Sequence, residues 1–373
     1  MNEGKRRSSR WLAVCGAILG AIGLAAVTGG CRAPTAITGT FFGGWSGAKD
    51  AAWWERELAD MKGIGFDTFI FQHATFGDRA FYPGGAAGLP APDGDMIGAV
   101  LAAAERVGGI SVHLGLGYRK DWKYSGVTTL EAYRDLERFN EGVADDLAAR
   151  YGRFGCFRGW YIPQELDSTR SWEPVSAAAG TPMGRLLDGY YRPLIGHLHA
   201  KTPGKPVSIA PFFGHGAMAP EVFRDWYALL LGSCPVDILM MQDGIGVLHG
   251  WLDAPAPGAG GMPPCPALEY LAATRDACRR TGKSFWLDLE VFRMAGGSYA
   301  CGSMEPMEFG GHEFPGIREQ IEREGPLVAA GGPHGDRIVV YEYASTMSLH
   351  GGYDPDASAA LHRAYREWLA KRR

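Results

Sequence analysis

From residue 36 onward the chain alternates between short apolar runs and longer segments in which apolar residues recur every third or fourth position. The runs are AITGTFFGGW (36–45), DTFIFQH (67–73), ISVHLGLG (110–117), FRGWYIPQE (157–165), PVSIAPFF (206–213), DILMMQDG (237–244), SFWLDLEVF (284–292) and RIVVYEYA (337–344). Their length and their β-branched and aromatic content predict buried strands. Between and after them lie segments such as AWWERELADMKGIG, LEAYRDLERFNEGVADDLAARYG and DASAALHRAYREWLAKRR. These have the spacing of amphipathic helices, and several end on Gly as helix C-caps do.

Eight strands in strict alternation with helices predict an α/β chain folded as a single (β/α)8 TIM barrel over residues 36–373. Each parallel strand needs a crossover helix to return to the same edge. A doubly wound open sheet would carry a GxGxxG phosphate loop after its first strand, and GTFFGGWSG does not match that pattern. The Pro/Gly-rich stretch DAPAPGAGGMPPCP (253–266) reads as a long loop between strand 6 and helix 6 rather than a domain boundary. The last helix, near residues 356–371, is expected to pack beside the first.

The N-terminus departs from this alternation. Lys5, Arg6, Arg7 and Arg10 precede the charge-free stretch WLAVCGAILGAIGLAAVTGG, which ends directly before Cys31. Basic-then-apolar order predicts an export signal over residues 1–30. Gly-Gly-Cys resembles the lipobox of bacterial lipoproteins, although Thr28 stands where Leu is usual. That resemblance implies Cys31 as the lipidated mature N-terminus, followed by a short linker (31–35), and an exported protein anchored by lipid and facing the periplasm or cell surface. A plainly cleaved signal and an uncleaved anchor are the competing readings.

The signal holds four basic residues against Glu3, so the chain without it carries a formal charge of −7 rather than −4. So acidic a domain is ill suited to nucleic acid, whose phosphates require a basic face. Cys156, Cys234, Cys265, Cys278 and Cys301 lack zinc-ribbon spacing. They are compatible with one or two disulfides or with buried thiols.

In a barrel of this class the active site lies at the C-terminal ends of the strands. Those ends present Trp45, then Gln72 and His73, Gly117 with Tyr118, Gln164 with Glu165, Phe213 followed by His215, Gln242 with Asp243, Asp288 with Glu290, and Glu342 with Tyr343. In SFWLDLEVF the two-residue period puts Leu287 and Leu289 toward the helices and Trp286, Asp288 and Glu290 toward the barrel interior. An inward carboxylate is costly unless paired or used. Gln72, His73, Tyr118, Gln164, Asp243, Asp288 and Glu342 are candidate substrate contacts, and Tyr343 is a candidate to hold the nucleophile or to fill the core.

The aromatic share of 12%, with eleven Trp, adds candidate stacking platforms at Trp45, Trp122, Trp172 and Trp251. Trp53 and Trp54 read as the start of helix 1. His73, His113, His215, His249 and His312 are scattered and strand 1 has no HxH, so neither a metal nor a cofactor is expected.

Carboxylates ending strands 4 and 7 resemble the arrangement of the large retaining glycosidase superfamily. That resemblance implies Glu165 as acid/base and Glu290 as nucleophile, while Gln164 departs from the Asn usual before the acid/base. Taken together, ITGTFFGGW, the WW and MKGIG of helix 1, GWYIPQEL, YYRPL, MMQDGIG and WLDLEVF resemble a family of bacterial barrel domains catalogued as domain of unknown function 4434 and described as glycoside hydrolase-like. The resemblance covers nearly the whole mature chain and implies fold and site but no substrate; with the strand-end carboxylates, the leading reading is hydrolysis of a glycosidic bond in a carbohydrate substrate, a polysaccharide or oligosaccharide. A carbohydrate-binding barrel without turnover is the alternative. An esterase or deacetylase is disfavoured by the lack of a GxSxG elbow.

Overall fold

A computed structural model describes residues 36–44, 49–84, 88–89, 94–119, 128–166, 172–213, 218–247, 250–251, 265–295, 308–311, 314–328 and 331–372. The expected signal, Cys31 and the linker lie outside the described residues, as do Trp45, Trp122, His215, His249 and His312. Residues 32–373 form one compact unit.

Eight strands close into a ring: β1 (Gly39–Phe42), β2 (Thr68–Phe71), β3 (Ser111–Gly115), β4 (Phe157–Ile162), β5 (Val207–Ile209), β6 (Ile238–Gln242), β7 (Ser284–Glu290) and β8 (Arg337–Tyr341). Each pairs in parallel with its sequence neighbours, and β8 returns to β1 through Gly39 opposite Val339. The expected barrel is therefore observed, with several strands shorter than their apolar runs. The run 206–213 contributes only three ladder residues, because Pro206 and Pro211 flank them and have no N–H to donate.

The helices are α1 (Ala51–Gly63), α2 (Met96–Val107), α3 (Leu130–Tyr151), α4 (Arg192–Lys201), α5 (Pro220–Ser233), α6 (Ala267–Thr281), α7 (Phe314–Glu324) and α8 (Pro355–Ala370). Asp50, Asp95, Thr129 and Asp354 cap the first turns of α1, α2, α3 and α8 by accepting main-chain N–H groups. Gly282 ends α6 at φ 68°, a conformation that favours glycine. The segment before α4 holds a five-residue π-turn, Leu187–Tyr191. Pro193 lacks the N–H that an α-helical turn would use there, and its ring would crowd the carbonyl of residue 189.

The alternation along the strands divides the core. Phe41, Ile70, Tyr161, Ile238, Met240, Trp286 and Val339 fill the barrel interior. Their neighbours, among them Phe42, Phe69, Phe71, Trp160, Ile162, Leu239, Met241, Leu287, Leu289, Ile338 and Val340, pack outward against the helices. At the N-terminal end of β7, Trp286 Nε1 donates to the Gly335 carbonyl at 2.9 Å and the Arg337 guanidinium lies over its ring. Tyr365 of α8 reaches the start of the barrel, where its hydroxyl accepts from Ile37 N at 2.8 Å. Cys156, Cys234 and Cys278 are buried free thiols, and burial pushes all three up.

Candidate active site

The two-residue period that separates interior from exterior continues past the last ladder residues and sorts the side chains at the barrel mouth. From Tyr161 it carries inward to Glu165, from Met240 to Gln242, from Trp286 to Asp288 and Glu290, and from Val339 to Tyr341. Gln242 Nε2 donates to Glu165 Oε1 at 3.0 Å and to the Ala210 carbonyl at 3.0 Å, which ties β6 to the end of β4. Tyr341 lies in register with Glu290 and donates its hydroxyl to Gln72 Oε1 at 3.2 Å.

Three carboxylates therefore converge inside the mouth. Glu165 is half-buried, whereas Asp288 and Glu290 are 2% and 3% exposed. Burial raises Asp288 well above the usual carboxylate range, and Glu290, Asp243 and Glu165 add to the shift. Its Oδ1 has no hydrogen-bond partner. Burial also raises Glu290, with Asp243 and Glu165 acting the same way, while the main-chain amides of Val247 and Gly246 oppose it. The Val247 amide reaches Glu290 Oε2 at 2.8 Å. Burial and the neighbouring carboxylates thus both oppose ionisation of Asp288 and Glu290.

One wall of the mouth is aromatic. Phe76 and Tyr118 stack at 5.1 Å with 9° between their planes, and His73 sits edge-on to both. A small sheet of Thr75–Phe76, Arg79–Ala80 and Gly117–Tyr118 fixes this wall. Burial drives His73 down to about 3, leaving a neutral ring. Tyr118 is pushed up to about 12 by burial and by Glu165.

Other strand-end residues turn away from the mouth. Gln164 donates from Nε2 to the Gly117 carbonyl at 2.7 Å and accepts from the Tyr190 hydroxyl at 2.5 Å, so its amide braces the wall instead of meeting a substrate as expected. Asp243 is fully buried behind β7, where it accepts from the amides of Ile245 and Glu290 and from Gln320. Glu342 accepts from Gly43 N at 2.7 Å and from the Ser345 hydroxyl. Tyr343, a candidate to hold the nucleophile or to fill the core, packs in the helix layer against Phe66, with its hydroxyl 3.1 Å from His362 Nδ1. Trp172, expected as a platform, is 4% exposed and packs against Trp226 of α5. Gln164, Asp243 and Glu342 share one cause, since each occupies the outward phase of its strand, whereas Tyr343 opens the helical turn Tyr343–Thr346, in which the two-residue period no longer holds.

Gln242 stood out at the end of strand 6 without a role, and sequence reasoning missed Tyr341, Phe76, Gln320 and Glu324. The phase of the alternation would have found Tyr341 and preferred Gln242 to Asp243. Phe76 lies in a segment that reads as loop, and nothing local marks two residues of α7 as neighbours of β6. Among the described residues, no group of three or more His, Cys, Asp or Glu side chains is arranged to hold a metal ion.

Residues 37–358 match the family of the domain of unknown function (DUF4434), and the chain belongs to that family. No curated protein matches the sequence. Among solved structures, the chain resembles a Bacteroides thetaiotaomicron VPI-5482 protein provisionally named an alpha-L-fucosidase, with 19% identity and a TM-score of 0.66 over 90% of this chain and 93% of that one. It also resembles a beta-galactosidase from the psychrophilic Marinomonas ef1, with 12% identity and a TM-score of 0.53 over 90% of this chain and 59% of that one. At these identities the likeness establishes a barrel fold shared with glycoside hydrolases.

Proposed function

We propose that the protein hydrolyses a glycosidic bond in an oligosaccharide or polysaccharide, with Glu165 as general acid/base and Glu290 as nucleophile. The convergence of inward-facing Glu165 and Glu290 on one cleft, beside the stacked Phe76–Tyr118 wall, carries this reading. Flat aromatic faces suit sugar rings, and two carboxylates are what glycosidic cleavage requires.

In this reading Glu165, the more hydrated of the pair, protonates the departing glycosidic oxygen. Glu290 attacks the anomeric carbon as the carbon–oxygen bond breaks. Glu165, now ionised, then takes a proton from water, whose oxygen displaces Glu290 and releases the sugar. The amides of Gly246 and Val247 hold the Glu290 carboxylate in place, and a proton kept on Asp288 lets Glu290 carry the negative charge that an oxocarbenium-like transition state attracts. Tyr341 and Gln72 frame the floor beside it.

The test is a panel of polysaccharides and aryl glycosides, read by new reducing ends and by the anomer first formed in NMR spectra. Wild-type release with retained configuration, absent in Glu290→Gln, is expected. Binding without any release would replace the proposal with a carbohydrate-binding barrel.

The same reading includes export: residues 1–30 act as a signal and a lipid on Cys31 anchors the barrel facing the periplasm or cell surface. Support comes from the Gly-Gly-Cys that closes the apolar stretch. Mass spectrometry of the native N-terminus decides it, since an unmodified Cys31 or a different first residue removes the anchor.

A further inference from the structure

Behind the mouth, four side chains are buried between the ends of β6 and β7 and one face of α7: Asp243, Glu290, Gln320 and Glu324. They differ in the hydrogen bonds they receive. Asp243 accepts three, from Ile245 N and Glu290 N at 3.1 Å each and from Gln320 Nε2 at 2.8 Å. The Glu290 carboxylate accepts from the Val247 and Gly246 amides. Glu324, fully buried at the end of α7, accepts none on either oxygen. Gln320 Oε1, one helical turn earlier, is buried and also has no partner.

A buried carboxylate anion without a single donor is strongly disfavoured. A neutral carboxyl group offers an O–H instead, and on a helix the residue four positions earlier lies on the same face. The two unsatisfied groups are thus complementary once Glu324 carries a proton. We propose that Glu324 is held as the neutral acid, donating to Gln320 Oε1, and that Glu324, Gln320 and Asp243 form a positioning chain that fixes Glu290 from behind. Through that bond the Gln320 amide is oriented with Nε2 toward both Asp243 Oδ2 and the Glu290 carbonyl, the latter at 3.3 Å. Asp243 in turn grips the Glu290 amide and the Ile245 amide, and so holds the turn whose next two amides meet the Glu290 carboxylate.

The charged groups acting on Glu324 agree with this assignment. Asp243 at the end of β6 and Glu290 at the end of β7 both oppose its ionisation, and Arg323 beside it in α7 favours it. Burial outweighs the arginine and holds Glu324 well above the usual carboxylate range.

The positioning role rests on the active-site reading of Glu290, but the test does not depend on hydrolysis. The full chain labelled with carboxyl-¹³C glutamate is titrated by NMR, with the Glu324 and Glu290 signals assigned by their loss in Glu324→Gln and Glu290→Gln. The Glu324 signal is expected to stay at the neutral-acid position through pH 8. Glu324→Gln, which keeps a donor toward Gln320, should leave the Glu290 midpoint in place. Gln320→Leu should lower that midpoint by about one unit, because Asp243 without its Gln320 donor protonates more readily and ceases to oppose Glu290 ionisation. A Glu324 signal titrating in the ordinary carboxylate range, or a Glu290 midpoint moved as far by Glu324→Gln as by Gln320→Leu, overturns the proposal.

Denaturant unfolding against pH gives a second reading should Gln320→Leu fail to fold. An acid whose folded pKa is raised contributes stability below its unfolded value, near 4.3, and loses it as pH rises. Wild type should therefore fall increasingly below Glu324→Gln above that pH. Parallel curves would show that Glu324 is not the proton holder.

Discussion

Glu290 and Glu342 close adjacent strands, both are buried, and both accept a main-chain amide, yet they belong to different chemistry. Glu290 continues the inward phase of β7 and stands in the cleft with Glu165 and Asp288. Glu342 continues the outward phase of β8, where Gly43 N and Ser345 engage both its oxygens. A strand end alone does not make a candidate catalytic group. The phase of the pleat decides whether a carboxylate meets substrate or braces the barrel.

Exchanging charge for amide on each side is the widest test of that contrast. Glu165→Gln should lower hydrolysis by about 10²–10⁴-fold, the usual contribution of general acid catalysis, and Glu290→Gln at least as far. An aryl glycoside with a good leaving group should partly rescue Glu165→Gln and not Glu290→Gln. Glu342→Gln should leave turnover within about twofold and instead lower stability by about 1–3 kcal/mol, because an NH₂ would face one of two donors. A large turnover loss in Glu342→Gln, measured on a folded variant, would break the comparison.

A smaller loss is expected from the turn that holds Glu290. A Cβ at Gly246 would lie 2.6 Å from the Phe292 carbonyl oxygen and 2.9 Å from Glu290 Cβ. Gly246→Ala should therefore displace the carboxylate or the turn, with a stability cost of about 1–3 kcal/mol from overpacking and a turnover loss of about 10–100-fold from misplacement. Paired unfolding and rate measurements separate the two effects.

The tyrosines sharpen the comparison further. Tyr341→Phe removes the hydroxyl that meets Gln72 and should lower turnover by about tenfold. Tyr343→Phe removes the contact with His362, costing about 1 kcal/mol of stability and leaving turnover intact. The reverse outcome would place Tyr343 in the site.

The smallest effect is on pH dependence. Glu57 of α1 is buried, receives a hydrogen bond from Ser348, and is raised by burial from 4.5 to about 8, with Glu342 among the charges nearby. Its folded pKa lies above its unfolded value, so the stability it contributes is complete below about 4.3 and is lost as pH rises toward 8. Glu57→Gln should flatten the denaturation midpoint across that window.

The sequence by itself determined the barrel, because eight apolar strand runs alternating with amphipathic segments admit few closed arrangements. It also determined the inward phase of Trp286, Asp288 and Glu290, since a strict two-residue period fixes which side of a strand each residue occupies. The same period, applied beyond β7, would have separated Gln164, Asp243 and Glu342 from the cleft and put Tyr341 in it. What only the tertiary structure decided is the meeting of residues far apart in the chain: Gln242 with Glu165 across 77 positions, and Gln320 with Asp243 across another 77. Local periodicity says which way a side chain faces. Which groups it then meets, and hence where the protons reside, depends on ring closure and on how each helix seats against its strands.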